Sequence, residues 1–124
     1  MFRYKDNSLQ WNGVDMPQML TDCVRRLQTD FQYRGPFWLY QENILSTRLS
    51  LLEQGLPGCS FYYSVKSQSN LSILSRIAAH SRFGADVVSG GELYRALKAG
   101  FKPEKIVFAG VGKTEVEITA ALDF

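Results

Sequence analysis

From residue 37 onward, short apolar runs alternate with segments in which apolar residues recur every three or four positions. Compact apolar runs are typical of strands buried on both faces, and the longer period is typical of amphipathic helices. The pattern predicts strands at 37–40, 60–65, 83–88 and 105–109. It predicts helices at 42–54, 70–79 and 91–99, and a further helix that begins after Thr114 and is still continuing at Phe124.

A strand followed by a helix thus occurs four times in succession. Strands separated by helices pair in parallel, so the pattern predicts an α/β fold, either an open doubly wound sheet or a (β/α) barrel. A complete barrel takes about 250 residues, and four strand–helix units are half of one. An isolated four-stranded parallel sheet would also leave two unpaired edges. We therefore expect the chain to be the front part of a longer protein.

Residues 1–30 follow a different pattern. Aromatic residues alternate with charged ones, and Asn12-Gly13 is a typical hairpin turn, so residues 1–15 are predicted to form short strands. A proline lies in the first turn of a helix predicted over residues 17–29. We expect the strand part of residues 1–30 to need a partner sheet, and residues 31–124 to form the four strand–helix units.

The composition is that of an ordinary globular domain. Hydrophobic residues make up 45% of the 124 residues and charged residues 21%. The net charge is only +2 and basic residues are spread along the chain, so no nucleic-acid-binding surface is expected. No apolar stretch approaches the roughly 18 residues that a membrane helix needs. These features favour a small-molecule partner and a location in the cytoplasm.

The sequence holds few residues that prefer to bind metal ions. Cys23, Cys59 and the single histidine, His80, are too few for a tetrahedral zinc site, so no metal is expected. Both thiols are expected to be reduced, with Cys23 buried on the first helix. His80 is expected to have a structural role, because the sequence offers it no evident partner.

Lys66 is the strongest candidate for catalysis. It follows the aromatic and β-branched run Phe61-Tyr62-Tyr63-Ser64-Val65. A charged amine at the end of a buried strand is unfavourable unless a partner or a covalent bond removes the charge. A pocket that disfavours the cation would make this amine a nucleophile toward a carbonyl carbon. The alternative is a lysine that simply reaches solvent.

Polar residues follow three of the predicted strands. The first loop begins at Lys66, the second contains Asp86 and Ser89-Gly90-Gly91-Glu92, and the third is Gly110-Val111-Gly112-Lys113-Thr114. Because the carboxyl ends of parallel strands lie at one edge of the sheet, we expect these groups to converge. A lysine, two carboxylates and glycine-rich helix starts fit a phosphorylated carbonyl cofactor. In the structural alternative, Asp86 and Glu92 cap the following helix or pair with Arg95.

The third loop also resembles a nucleotide-binding P-loop, because Gly112-Lys113-Thr114 lies between a strand and a helix. A P-loop has a further glycine five residues before the glycine of this triplet, and Val107 occupies that position. The shortened loop has too few free amides to surround a phosphate, so a tight turn is expected instead.

Three segments in the same order and spacing resemble one protein family. The segments Tyr63-Ser64-Val65-Lys66, 84–93 and 106–114 together resemble the pyridoxal-phosphate-dependent decarboxylases of ornithine, arginine and diaminopimelate. The resemblance covers roughly residues 1–124. Within the family it is strongest to the diaminopimelate enzymes, through Ser89-Gly90-Gly91-Glu92 and the loop that begins at Gly110.

The resemblance implies the N-terminal half of a (β/α)8 TIM-type barrel of the alanine-racemase-like class. A C-terminal β domain would follow, and the N-terminal strands would join it. The implied cofactor is pyridoxal 5′-phosphate, with Lys66 as its Schiff-base lysine and with Asp86 and Glu92 as acidic residues near it. The resemblance also implies a homodimer whose remaining catalytic residues lie beyond Phe124, so these 124 residues alone are expected to be inactive.

The implied activity is the decarboxylation of an amino acid, most simply of meso-diaminopimelate to L-lysine and carbon dioxide. The family commonly has alanine at positions 64 and 67 and asparagine at 68, whereas this chain has Ser64, Ser67 and Gln68. These differences leave ornithine, arginine or a siderophore precursor as alternative substrates. A non-catalytic protein that keeps the fold to bind a partner is an alternative of another class.

Overall fold

The computed structural model describes residues 2–124, which form two compact units. The first extends to Leu45, and the second runs from Ser46 to Phe124. The strands are β1 (Phe2–Lys5), β2 (Ser8–Trp11), β3 (Val14–Asp15), β4 (Phe61–Ser64), β5 (Phe83–Val87) and β6 (Ile106–Phe108). The helices are α1 (Met16–Asp30), α2 (Glu42–Gly55), α3 (Leu71–Ala78), α4 (Gly90–Ala99) and α5 (Glu115–Leu122). The sequence pattern placed the boundary between the two segments after residue 30. The assignment of these segments to the domains of a longer protein stays a prediction.

The first unit contains a three-stranded antiparallel sheet in the order β1-β2-β3, in the region where the pattern predicted short strands. Both hairpin turns have two consecutive residues with positive φ: Asp6-Asn7 at 49° and 62°, and Asn12-Gly13 at 50° and 83°. Two positive φ angles in a two-residue loop match the twist of the strands that it joins. The Phe2 and Trp11 rings stack across β1 and β2 with their centroids 5.6 Å apart. Turn chemistry and this cross-strand pair therefore fix the register.

Helix α1 begins close to its predicted start because Asp15 caps it. Oδ1 of Asp15 accepts a hydrogen bond from the Gln18 backbone N–H at 3.0 Å, and the Ser8 hydroxyl donates to Oδ2. The hydrogen bond from Ser8, and then that from Gln18, lower the pKa of Asp15 below its ordinary 3.8. Pro17 lies in the first turn, where its missing N–H leaves no hydrogen bond unmade.

The strand predicted at residues 37–40 is not formed in the described structure, so that prediction was wrong. Residues 31–41 contain neither helix nor strand, and the Trp38 side chain is 88% exposed. An apolar run becomes a strand only where a neighbouring strand pairs with its backbone N–H and C=O groups. No strand within residues 2–124 pairs with this segment. The second unit therefore has three strand–helix repeats rather than four.

The second unit is built on a parallel sheet in the order β4-β5-β6. Helices α3 and α4 pack on one face of β5. The buried side chains of the second unit include Leu74, Ile77, Phe83, Ala85, Val87, Leu93 and Ala96. On the other face, the Tyr62 and Val107 side chains are each 48% exposed. Consecutive strands with one helix-covered face are what successive units of a (β/α) barrel present.

The helix boundaries of the second unit follow the sequence signals. Asn70 caps α3 through a hydrogen bond from the Ser72 N–H at 2.9 Å, and Gly100 ends α4 with a φ of 99°. Thr114 and Glu117 form the predicted capping box at the start of α5. Helix α5 ends at Leu122 and does not continue to the last residue as predicted.

Candidate functional site

The carboxyl ends of β4, β5 and β6 lie at one edge of the parallel sheet, which brings the three predicted polar loops to the same edge. Register places Ser64 of β4 opposite Asp86 of β5, and Asp86 opposite Val107 of β6. Register partners in a parallel sheet share a face, and neighbouring strands lie about 4.8 Å apart. Ser64 and Asp86 are therefore close neighbours on the face opposite the helix-covered core.

Lys66 lies in a single 3₁₀ turn, Val65–Ser67, that directly follows β4. The Val65 side chain is completely buried and anchors the turn, and the Ser67 hydroxyl closes it by donating to the Ser64 carbonyl at 2.7 Å. The Lys66 side chain is exposed, and within residues 2–124 no hydrogen bond or ion pair holds its amine. The turn thus presents a free primary amine at the carboxyl edge. The described residues do not enclose this amine in the pocket that the sequence interpretation invoked.

Asp86 is the fourth residue of β5, and its carboxylate is half-buried. Within the described part of the chain it makes neither a hydrogen bond nor an ion pair, and it does not cap α4. Ser64 is its register partner, and the Ser64 hydroxyl oxygen is buried without a hydrogen-bond partner. The sheet therefore places an unpaired hydroxyl beside an unpaired carboxylate, two residues before the free amine of Lys66.

Glu92 has a different environment from Asp86. Its carboxylate Oε2 accepts a hydrogen bond from the Val88 backbone N–H at 2.9 Å, and its own N–H donates to the Ser89 hydroxyl at 3.2 Å. These two bonds form a cap at the start of α4 and hold the Ser89-Gly90-Gly91 turn. Glu92 does not pair with Arg95, whose guanidinium donates to the Ser69 carbonyl at 3.0 Å. Glu92 Oε1 has no hydrogen-bond partner within residues 2–124.

The first turns of α4 and α5 are joined by Glu117, which sequence reasoning had assigned only to the local capping box. Glu117 Oε1 accepts the Gly90 N–H at 2.7 Å, while Oε2 accepts the Thr114 N–H at 3.0 Å and the Thr114 hydroxyl at 2.9 Å. Hydrogen bonds from the Thr114 N–H, the Gly90 N–H and then the Thr114 hydroxyl lower the pKa of Glu117 below its ordinary 4.5. The partner, 27 positions away, could not be found from spacing.

Lys113 at the third loop is engaged locally. Its amine donates to the Gly110 carbonyl at 2.5 Å and lies 5.5 Å from the centre of the Phe108 ring. The amine therefore stabilises the turn after β6, in agreement with the expectation of a tight turn rather than a P-loop. Gly110 has a φ of 95°, a backbone conformation that favours glycine.

Cys59 and His80 precede β4 and β5, whereas the three polar loops follow the strands, and Cys23 belongs to the first unit. Cys23 is half-buried on α1 rather than fully buried, Cys59 is exposed, and both are free thiols. His80 precedes β5, and its Nδ1 lies 3.4 Å from the Glu53 carboxylate while its ring meets Phe83 edge-on. These contacts support the predicted structural role of His80. Within residues 2–124, no three His, Cys, Asp or Glu side chains are grouped as metal ligands would be, and no helix has the length and apolarity to span a bilayer.

Comparison with known proteins decides the family. The family model of the pyridoxal-binding domain of pyridoxal-dependent decarboxylases matches residues 43–124. The chain belongs to the pyridoxal-dependent decarboxylase family. This finding confirms the resemblance inferred from the three motifs, and it confirms pyridoxal 5′-phosphate as the cofactor of the matched domain.

Individual decarboxylases match most of the chain. A diaminopimelate decarboxylase from Aquifex aeolicus is 38% identical over 123 residues, which are 97% of this chain and 26% of that protein. A crystal structure of an A. aeolicus protein superposes with a TM-score of 0.79 at 37% identity, over 98% of this chain and 28% of that one. A diaminopimelate decarboxylase from Helicobacter pylori, solved with L-lysine, gives a TM-score of 0.68 at 43% identity over 82% of this chain and 25% of that one. This chain thus spans about a quarter of the length of these relatives.

The groups at the carboxyl edge fit a decarboxylase cofactor of this kind. An aldehyde requires a primary amine that is not already engaged, and Lys66 supplies one. The ring and phosphate oxygens require hydrogen-bond donors, and the buried Ser64 hydroxyl has no other acceptor. The observed α/β fold, with a parallel sheet covered on one face, is consistent with part of the barrel of a decarboxylase.

Proposed function

We propose that this chain is the lysine-bearing part of a pyridoxal-phosphate-dependent decarboxylase that converts meso-diaminopimelate to L-lysine and carbon dioxide. The observation that carries the proposal is the free amine of Lys66, which lies in the turn after β4 at the edge where Ser64 and Asp86 are also unpaired. Relatives at 38% identity or more are diaminopimelate decarboxylases, which favours this substrate over ornithine or arginine. The activity belongs to a protein of the relatives' length, because this chain spans only about a quarter of it.

The proposal includes a completed (β/α)8 barrel. Strands β4 and β6 are the outer strands of the parallel sheet, so each has an edge at which another strand can pair. The exposed Tyr62 and Val107 side chains lie on the face that a closed barrel would bury. In the complete protein, the strands of residues 1–30 would join a C-terminal β domain and two subunits would form a homodimer. The location in the cytoplasm stays a prediction from the sequence.

Lys66 is proposed to hold the cofactor covalently through Nζ. When bound, pyridoxal phosphate supplies an aldehyde that reacts with primary amines and a pyridinium ring that accepts the electrons released as carbon dioxide leaves. Lys66 Nζ must give up a proton before it can bond to that aldehyde carbon. The short turn between β4 and α3 sets the position of the lysine backbone at the carboxyl edge.

Asp86 and Glu92 are proposed as the acidic residues near the cofactor. Asp86 projects from the same sheet face as Ser64 and has no structural partner within residues 2–124, so its carboxylate is available to a positively charged group. Glu92 combines two roles in this proposal. Oε2 holds the turn after β5 through the Val88 N–H, and Oε1 remains available to the cofactor.

The decisive experiment is chemical trapping on the full-length protein. Borohydride reduction in the presence of pyridoxal phosphate, followed by peptide mass analysis, should place the adduct on Lys66. The variant Lys66→Ala should lose the adduct, the yellow absorbance of the bound cofactor and carbon dioxide release. The matched control is Lys113→Ala, since Lys113 lies at the same edge but its amine is engaged by Gly110. An adduct that stays in the Lys66→Ala protein would refute the assignment.

A panel of amino acids tests the proposed substrate. Carbon dioxide release from meso-diaminopimelate, ornithine, arginine and lysine should be fastest with meso-diaminopimelate, with L-lysine as the product. Faster release from ornithine or arginine would move the protein to another branch of the family. A full-length protein that folds but traps no cofactor at Lys66 would support a non-catalytic binding function instead.

A further inference from the structure

The Ser64 side chain is the last of β4, and it lies at the centre of the candidate site. It pairs in register with Asp86 of β5 and precedes Lys66 by two residues. Because side chains alternate along a strand, Ser64 shares the face of Tyr62 rather than that of the helix-covered Tyr63. The hydroxyl is therefore fixed by the strand on the face where Asp86 is unpaired.

The Ser64 hydroxyl is unusual because its oxygen is buried and yet has no hydrogen-bond partner within the described residues. By contrast, the Ser67 hydroxyl donates to the Ser64 carbonyl at 2.7 Å, and the Ser75 hydroxyl donates to the Leu71 carbonyl at 2.8 Å. Burying a hydroxyl without a partner is unfavourable, so such groups in folded proteins point to a ligand, an ordered water or another chain segment.

We propose that the Ser64 hydroxyl donates a hydrogen bond to an oxygen of pyridoxal phosphate bound through Lys66, which makes Ser64 a further cofactor-binding residue. This inference rests on the proposed function. The cofactor carries a ring oxygen and a phosphate group, and both are strong acceptors. A serine at the end of a strand holds its hydroxyl with a single side-chain torsion, so little freedom is lost when the bond forms.

The proposal has a signature that a structural role cannot produce. If the hydroxyl has no protein partner, Ser64→Ala removes an unsatisfied buried group and should leave the cofactor-free protein as stable as before, or more stable. The same change removes a hydrogen bond from the cofactor complex, so the dissociation constant of pyridoxal phosphate should rise about three- to ten-fold. Ser64→Ala should therefore lower the affinity for the cofactor without lowering the stability of the cofactor-free protein.

The test uses the full-length wild-type protein and the variants Ser64→Ala, Ser75→Ala and Lys66→Ala. Cofactor-free samples of the wild type, Ser64→Ala and Ser75→Ala are titrated with pyridoxal phosphate by absorbance, and each is unfolded thermally with and without it. Ser75→Ala is the matched control, because its hydroxyl on α3 already has a backbone acceptor. Only Ser64→Ala should bind the cofactor more weakly.

Two results would overturn the inference. One is cofactor binding by Ser64→Ala that is as tight as in the wild type. The other is a cofactor-free Ser64→Ala protein that loses as much stability as the complex does, because the hydroxyl would then have a partner elsewhere in the complete protein. Lys66→Ala distinguishes failure of the proposed function from failure of this inference. If the wild type and Lys66→Ala bind the cofactor equally, the proposed function is refuted. If binding requires Lys66 but is unchanged in Ser64→Ala, only this inference is refuted.

Discussion

Glu117 Oε1 accepts a hydrogen bond from the Gly90 backbone N–H at 2.7 Å and so joins the first turns of α4 and α5. An added Cβ at position 90 would lie 3.2 Å from Glu117 Cγ, so the Glu117 side chain would have to shift by a few tenths of an ångström to accommodate it. A carboxylate near two helix N-termini is also favoured by both helix dipoles. The turn after β5 is therefore held by a residue from the next strand–helix unit.

The pKa of Glu117 predicts how this contact responds to acid. Because its hydrogen bonds hold the pKa below the ordinary 4.5, the ionised carboxylate stabilises the fold at pH values above 4.5, and this stability is lost as the pH falls through the lowered value. Glu117→Gln should therefore unfold at a lower temperature than the wild type at neutral pH, and the difference should shrink in acid. Thermal unfolding of both proteins from neutral pH to below pH 4.5 measures this difference.

Glu115→Gln is the control for that prediction. Glu115 lies in the same first turn of α5 and is exposed, so it shares the helix-dipole effect but not the bridge to Gly90. Its replacement should have the smaller effect at neutral pH. An equal effect of both variants would mean that the dipole alone accounts for the contribution of Glu117.

Asp86 in β5 and Glu92 in α4 should differ in their contribution to stability, because only Glu92 is engaged in a helix cap. Glu92→Ala should lower the free energy of unfolding by about 0.5–2 kcal/mol, because it removes a cap of α4. Asp86→Asn should change that free energy by less than about 0.5 kcal/mol and should weaken pyridoxal phosphate binding. Denaturant unfolding without cofactor and a cofactor titration measure the two effects. A large loss of stability in Asp86→Asn would show that the carboxylate has a structural partner in the complete protein.

Gly84 in β5 should not tolerate a side chain. An added Cβ would collide with the Lys105 backbone carbonyl oxygen and lie 2.8 Å from Cε1 of the Tyr62 ring. The backbone carbonyl cannot move away without disturbing β6, so Gly84→Ala should lower the free energy of unfolding by about 1–3 kcal/mol. Gly55→Ala is the control, because nothing lies within 4 Å of its added Cβ and alanine favours the helix. Chemical denaturation should show a loss for the first variant and none for the second.

Arg82 should stabilise the connections at the amino end of the parallel sheet. Its guanidinium donates to the carbonyls of Glu53, Leu56 and Cys59 and lies 5.2 Å from the centre of the Phe61 ring. A lysine keeps the charge but cannot reach three carbonyls in one plane, so Arg82→Lys should lower the free energy of unfolding by about 1–3 kcal/mol.

Arg95→Lys is the matched control for Arg82→Lys. The Arg95 guanidinium is exposed and donates to the Ser69 carbonyl, a bond that a lysine amine can replace. Its substitution should change the free energy of unfolding by less than about 0.5 kcal/mol. Equal effects in a denaturant titration would show that the fork geometry of Arg82 contributes nothing.

The sequence by itself determined the order of the helices, most of the strands, the hairpin turns and the place of Lys66 directly after β4. These features depend on signals within a few residues, such as the capping box of Thr114 and Glu117 or the glycine at position 100 that ends α4. The strand predicted at residues 37–40 failed because strand formation requires a pairing neighbour, which an apolar run cannot reveal.

Only the tertiary structure decided which polar residues at the carboxyl edge are engaged and which are free. The sequence predicted the same role for Asp86 and Glu92. In the structure, strand register places Asp86 beside Ser64 without a hydrogen bond, whereas Glu92 accepts the Val88 N–H in the cap of α4. Contacts such as that of Gly90 with Glu117 join residues far apart in the chain, and they exist because parallel pairing brings successive strand ends to one edge. Whether a side chain is free to bind a cofactor therefore depends on the tertiary structure, because the fold determines which other groups it contacts.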